Sequence, residues 1–96
     1  MQLLTQQDRE NLPKLYEQED LELQAIVHIK FFDPCGSWTW YVTEFDGEDT
    51  FFGLVDGFEK ELGYFSLKEL QSVSGGLGIG IEKDLYFNPQ PLKNFM

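Results

Sequence analysis

Two Asp-Gly pairs, Asp46-Gly47 and Asp56-Gly57, each separate runs rich in aromatic and β-branched residues, and this punctuation restricts the chain more than any other feature. Asp-Gly supplies the positive backbone angles that tight hairpins need, so apolar runs on either side read as paired strands. Residues 38–45 alternate, with Trp38, Trp40, Val42 and Glu44 on one face and Thr39, Tyr41, Thr43 and Phe45 on the other. A strand over residues 50–55 and another over 58–65 follow. Connections this short predict an antiparallel meander. Ser66-Leu67-Lys68-Glu69 then has the capping-box pattern, with Glu at the third helical position, and starts a helix that carries Leu67 and Leu70 and ends near Val73. Gly75 or Gly76 is its stop.

The rest of the chain packs around this stretch. Thr5 and Asp8 form an earlier capping pattern, predicting a helix through about Leu12 that Pro13 breaks. Leu12, Leu15 and Tyr16 have helical spacing and would dock that element on the sheet. An acidic connector runs to Glu22. From Leu23 the period becomes two. Leu23, Ala25, Val27, Ile29 and Phe31 share one face, and Gln24, Ile26, His28, Lys30 and Phe32 the other. Residues 33–37 form a Pro- and Gly-containing turn. After the second helix, the alternation of glycine and aliphatic residues around Gly76 to Ile81 suggests backbone lying flat on the core. Residues 81–87 could add an edge strand, and the proline-containing tail would trail over the surface with Leu92 or Phe95 tucked in.

The expectation is therefore an α+β fold: a single domain over residues 1–96, with a mainly antiparallel four- or five-stranded sheet. An N-terminal helix and connector occupy 1–22. Sheet and helix occupy 23–73, the short helix following the fourth strand, and a Gly-rich segment, possible edge strand and tail occupy 74–96. Ninety-six residues suit one domain. Aromatics make up 16% of them and let a small core bury enough surface without a staple. The single Cys35 forms no internal disulfide, which points to a reducing compartment. With no signal-peptide pattern and no apolar run of membrane-spanning length, the expected location is cytoplasmic.

Seventeen acids against seven bases give a net charge of −10 and a pI near 4.2. That balance argues against direct nucleic-acid or anionic-membrane binding and favours a partner with a basic surface. Seven carboxylates lie between Glu44 and Glu61, against the one base Lys60. In extended chain, residues two apart point the same way, so Glu44, Asp46 and Glu48, or Glu59 and Glu61, could present charge in rows. Asp49 belongs to the same acidic surface. Trp38, Trp40 and Tyr41 supply candidate aromatic anchors, since such residues dominate binding hot spots. The plain alternative is that the acids only solubilise the surface and the aromatics are core.

Chemistry beyond docking has thin support. The G-x-G-x-G pattern after residue 75 follows a helix, not a strand, and lacks a closing Lys-Ser/Thr pair. His28 is the only histidine, so no His-based metal cluster or triad can form. A pocket using His28 with Glu44, lined by Trp40 and Tyr64, is the rival reading: a small enzyme or ligand-binding domain. The turn from Asp46 to Asp49 lacks calcium-loop spacing. No catalytic residue, metal or cofactor is assigned.

Three blocks carry a resemblance: IVHIKFF with SWTWYVTEFDGEDTFFG, then ELGYFSLKEL, then GLGIGIEKDLYFNPQPL. In that order and spacing the chain resembles the small bacterial proteins grouped as domain of unknown function 2958, over nearly its whole length. The resemblance implies a setting on plasmids, integrative elements and phages, and it transfers no activity. By analogy with small acidic proteins of such elements, it favours a non-enzymatic accessory protein that binds a protein partner, including a DNA-mimic inhibitor of a host defence or nucleic-acid-binding protein. A structural or dimerisation module is the third reading, its sign being an uncovered strand edge or a large exposed apolar patch.

Overall fold

The hairpins form where the turn residues place them. In the computed structural model, which describes residues 3–73 and 80–96, β3 (Thr39–Phe45), β4 (Thr50–Asp56) and β5 (Lys60–Ser66) make a continuous meander. With β2 (Ile29–Phe32) and β6 (Glu82–Lys83) they complete a five-stranded sheet, antiparallel throughout, in the order β5-β4-β3-β2-β6. A separate two-residue ladder joins β1 (Ile26–Val27) to β7 (Gln90–Pro91). The α+β class and the mainly antiparallel sheet are as the sequence predicts. The short helix α2 (Leu67–Ser72) follows β5. This is the predicted fourth strand, displaced by one because the predicted first strand is split.

That split is the first correction. Residues 19–24 form a 3₁₀ turn, kinked at Glu22, and leave Leu23 exposed. Val27 and Ile29 then belong to different cores. One face of the sheet, under both helices, buries Ile29, Phe31, Val42, Phe45 and Phe51 against Leu3, Leu4, Leu12, Leu67, Leu70 and Ile81. The other face, under the C-terminal tail, buries Val27, Tyr41, Leu54 and Leu92, with Phe87 and Phe95 packed alongside. At His28 the chain leaves one face for the other, so the period-two pattern from Leu23 to Phe31 does not describe one strand.

A second irregularity lies in β3. Val42 faces Gly53 and Glu44 faces Phe52, so Thr43 is the extra residue of a β-bulge. Beyond the bulge the alternation is inverted. Phe45 joins Trp40 and Val42 on the helix face, and Glu44 turns with Thr43 to the tail face, opposite to the strict alternation expected for them. Gly53 marks the spot, because a Cβ there would sit 1.8 Å from the Tyr41 carbonyl oxygen.

The caps form with one change of partner. Thr5 and Asp8 make the full reciprocal box at α1 (Gln6–Asn11). At α2 the Ser66 hydroxyl accepts from the Glu69 N–H, but the acid that completes the cap is Asp49. Its carboxylate takes the Ser66 hydroxyl at 2.6 Å and the Lys68 N–H at 2.8 Å. Leu12 is buried as expected, but Tyr16 is not helical: its φ is 74°. The expected edge strand shortens to β6, which the Lys83–Asp8 ion pair ties to α1.

The tail does more than trail. Leu92 donates to the Ala25 carbonyl at 2.8 Å and is buried, and Phe95 stacks on Tyr41 with centroids 4.2 Å apart. A fully buried leucine of this kind contributes roughly 1.5–3 kcal/mol, so the tail is an integral layer. The glycine-alternating stretch lies, up to Ile79, outside the described residues. Among the described residues, no helix is long and apolar enough to cross a membrane.

Candidate functional site

The two faces carry two concavities, and both take residues from the meander. On the tail face a cavity of about 280 Å³ is lined by twelve residues, among them Tyr16, Glu44, Phe52 and Tyr64. The bulge puts Glu44 there, and the connector after α1 closes over it. The Tyr16 N–H donates to Glu44 Oε1 at 2.9 Å and the Gln18 N–H to Oε2 at 2.7 Å, leaving the residue 4% exposed. Gln18 is itself buried. Its amide donates to the Ile26 and Thr43 carbonyls and accepts from the Ile26 N–H, stitching connector, β1 and β3 together. Phe52 and Tyr64 pack edge-on with centroids 5.1 Å apart. The neighbouring Tyr16 phenol first, then slight desolvation and the carboxylates of Glu44 and Glu19, push the Tyr64 phenol above its ordinary pKa.

Two of the four residues of the rival pocket, Glu44 and Tyr64, therefore meet, and two do not. Trp40 lies on the opposite face, packed against the helix-side core. His28 is not among the cavity's lining residues; its backbone N–H donates to the Val42 carbonyl, and burial lowers the pKa of its ring. The His28–Glu44 acid–base pair does not form, because the break at His28 and the bulge at Thr43 separate the two side chains.

On the helix face, beyond the helices, a groove of about 260 Å³ is lined by Trp38, Val55, Phe58, Glu59 and Glu61. Phe58 follows the Asp56-Gly57 turn, is 94% exposed and stands edge-on to Trp38 at 5.3 Å. Trp38 in turn lies 6.0 Å from Trp40. Gly57 is required for this approach, since a Cβ there would meet the Trp38 ring at 2.5 Å. Glu59 and Glu61 are exposed at the rim.

The acids expected to act together are divided by the structure. Glu44 is buried on the tail face, so the row Glu44–Asp46–Glu48 does not exist. Asp46 Oδ1 accepts from the Glu48, Asp49 and Thr50 N–H groups; slight burial opposes, but these bonds outweigh it and hold the carboxyl below its usual pKa. Asp49, held low first by the Ser66 hydroxyl and then by the Lys68 N–H, caps α2. Glu48, Glu59 and Glu61 remain exposed without such duties. Of the aromatic anchors, Tyr41 is buried beneath Phe95, whereas Trp38 and Trp40 are half-buried. Among the described residues, no group of three or more His, Cys, Asp or Glu side chains is placed to hold a metal ion.

Sequence reasoning missed Tyr16, Gln18 and Phe58. Gln18 sits in a charged connector with no period to flag it. Phe58 reads as the first residue of the strand over 58–65, whereas β5 begins at Lys60 and Phe58 stays in the turn. Gly53, inside a run that otherwise reads as strand, was the available signal for the bulge.

Fold and concavities together define a small α+β domain with a recess on each face of its sheet. The chain belongs to the family described as "Protein of unknown function (DUF2958)", which it matches over residues 3–96. No curated protein and no solved structure matches it significantly.

Proposed function

We propose that this domain is a non-enzymatic binding module for a protein with a basic surface, and that the Trp38–Phe58 groove is its contact. The observation that carries the reading is Phe58. A phenylalanine 94% exposed, fixed against a tryptophan and flanked by two free carboxylates, is a preformed receptor for a lysine or arginine side chain. The ring faces offer cation–π attraction worth about 0.5–2 kcal/mol, and Glu59 and Glu61 add charge. The net charge of −10 steers a basic partner at long range.

In the mobile-element setting that the family resemblance implies, the partner is a host or element protein. A nucleic-acid-binding protein is the sharpest case, its basic groove occupied by this acidic surface. Docking then rests on Trp38, Trp40, Phe58, Glu48, Glu59 and Glu61, because Glu44 and Tyr41 are buried and Asp46 and Asp49 are engaged in turns.

The test is titration of the protein with an arginine-rich peptide, read by tryptophan fluorescence and repeated at increasing salt. Saturable quenching that weakens with salt, and that is lost in both Phe58→Ala and Glu59→Lys/Glu61→Lys, is the expected result. Equal affinity of wild type and both variants would overturn the reading.

A further inference from the structure

We infer that the tail-face cavity is a binding site for a small organic amine with an apolar body. The cavity lies on the opposite side of the sheet from the proposed docking groove and does not depend on it. Three observations converge on this ligand.

The first is an uncompensated buried carboxylate. Glu44 is nine-tenths buried and lines the cavity, yet the ion pairs among the described residues, Lys30–Asp84 and Lys83–Asp8, leave it without a counter-cation. Burying a carboxylate without a cation is costly, and two backbone N–H groups offset only part of that. Each carboxylate oxygen has two acceptor positions, and the two N–H groups take one on each, so acceptor capacity remains for a ligand.

The second is the composition of the wall. Glu19 and Glu22 join Glu44, and among the described residues no lysine, arginine or histidine lines the cavity. The phenols of Tyr16 and Tyr64 stand beside them, and Leu23, Ala25, Phe52, Leu62 and Leu92 form an apolar surround. An ammonium group brings three donors and a positive charge to the acidic and phenolic side, while an aryl or alkyl body fits the aliphatic and aromatic side. A volume of about 280 Å³ lies just below the usual range for drug-sized ligands and suits a fragment-sized one.

The third is backbone strain. Tyr16 (φ 74°) and Glu22 (φ 49°) are the non-glycine residues with positive φ among those described, and both line this cavity. Strained backbone concentrates at ligand sites, where surrounding contacts hold it.

The experiment records amide chemical shifts of the full chain on titration with benzylamine, benzyl alcohol and benzoate, which share a ring and differ in charge. Benzylamine is expected to shift the amides of Tyr16, Gln18, Thr43 and Tyr64 saturably, with benzyl alcohol about tenfold weaker and benzoate silent. Leu62→Arg, on the exposed edge strand, should abolish the benzylamine response by carrying its own cation into the cavity, and Tyr64→Ala should weaken it. Leu62→Arg removes no residue that holds the connector, so it is expected to keep the wild-type spectrum elsewhere. The proposal is overturned if benzylamine and benzyl alcohol bind equally, if benzylamine leaves these amides unmoved, or if folded Leu62→Arg binds it as wild type does.

Discussion

Glu44 and Glu61 sit two strands apart on the same meander and do opposite things. Glu44 lies on the tail face with both oxygens occupied by backbone N–H groups and almost no solvent contact. Glu61 pairs with Val55 on the outer strand and faces water at the rim of the aromatic groove. One carboxylate builds structure and gives a cavity its charge; the other adds charge to a surface. The difference teaches that the acidity of this chain is not one property. A count of acids treats them as equivalent, whereas the bulge, the turns and the helix cap commit several to backbone donors and leave only some free to meet a partner.

The strongest way to break this comparison is Glu44→Ala. It strands the Tyr16 and Gln18 N–H groups and releases the connector, and it should destabilise the fold by about 2–4 kcal/mol. Urea denaturation of this variant beside Glu61→Ala checks it; the exposed change should stay within about 0.5 kcal/mol. Equal losses would mean that the two carboxylates are not different in kind.

Gly57→Ala tests the other recess. Its Cβ would displace the Trp38 ring, so arginine-rich peptide binding should fall sharply. The expected stability loss is about 1–3 kcal/mol, the range for overpacking. Tail-face amides should not move, which would show that the recesses are independent.

Acid titration reads the carboxylates engaged in the turn and the helix cap. Asp46 and Asp49 have folded pKa values below their ordinary 3.8, so the folded state holds fewer protons than the unfolded. Their stabilisation is complete above that value and is lost as pH falls through their lower folded values. Asp49→Asn should flatten this acid limb, which circular dichroism from pH 5 to pH 2 reads. His28 titrates in a separate window. Burial lowers its pKa from 6.5, so stability declines as pH falls from 6.5 towards the folded value, and His28→Gln should remove that slope. The smallest stability change is expected of Phe58→Ala. Its 94% exposure implies a change within about 0.5 kcal/mol, although it should remove peptide binding.

Much of the fold was legible locally. The Asp-Gly turns, the Thr5 and Ser66 caps and the alternation of apolar residues are short-range signals, and hairpins and helix starts depend on short-range geometry. The surface acids Glu59 and Glu61 could be read the same way, whereas the half-exposure of Trp38 is visible only in the fold. The errors fall where long-range pairing overrides a local pattern. Val27 and Ile29 look like one face of one strand, but Val27 pairs with a tail more than sixty residues away and Ile29 pairs with β3.

What the sequence alone determined is thus the class, the hairpins, the caps and the overall charge, because each is set by a few neighbouring residues. Only tertiary structure decided the faces. One extra residue at Thr43 sent Glu44 inward and Phe45 to the opposite core, and one break at His28 kept the lone histidine out of the cavity that Glu44 and Tyr64 share. Side-chain direction in a strand has a period of two, so a single unpaired residue reverses every assignment beyond it. Such a residue shows itself in the register with the neighbouring strand, which no stretch of chain contains by itself.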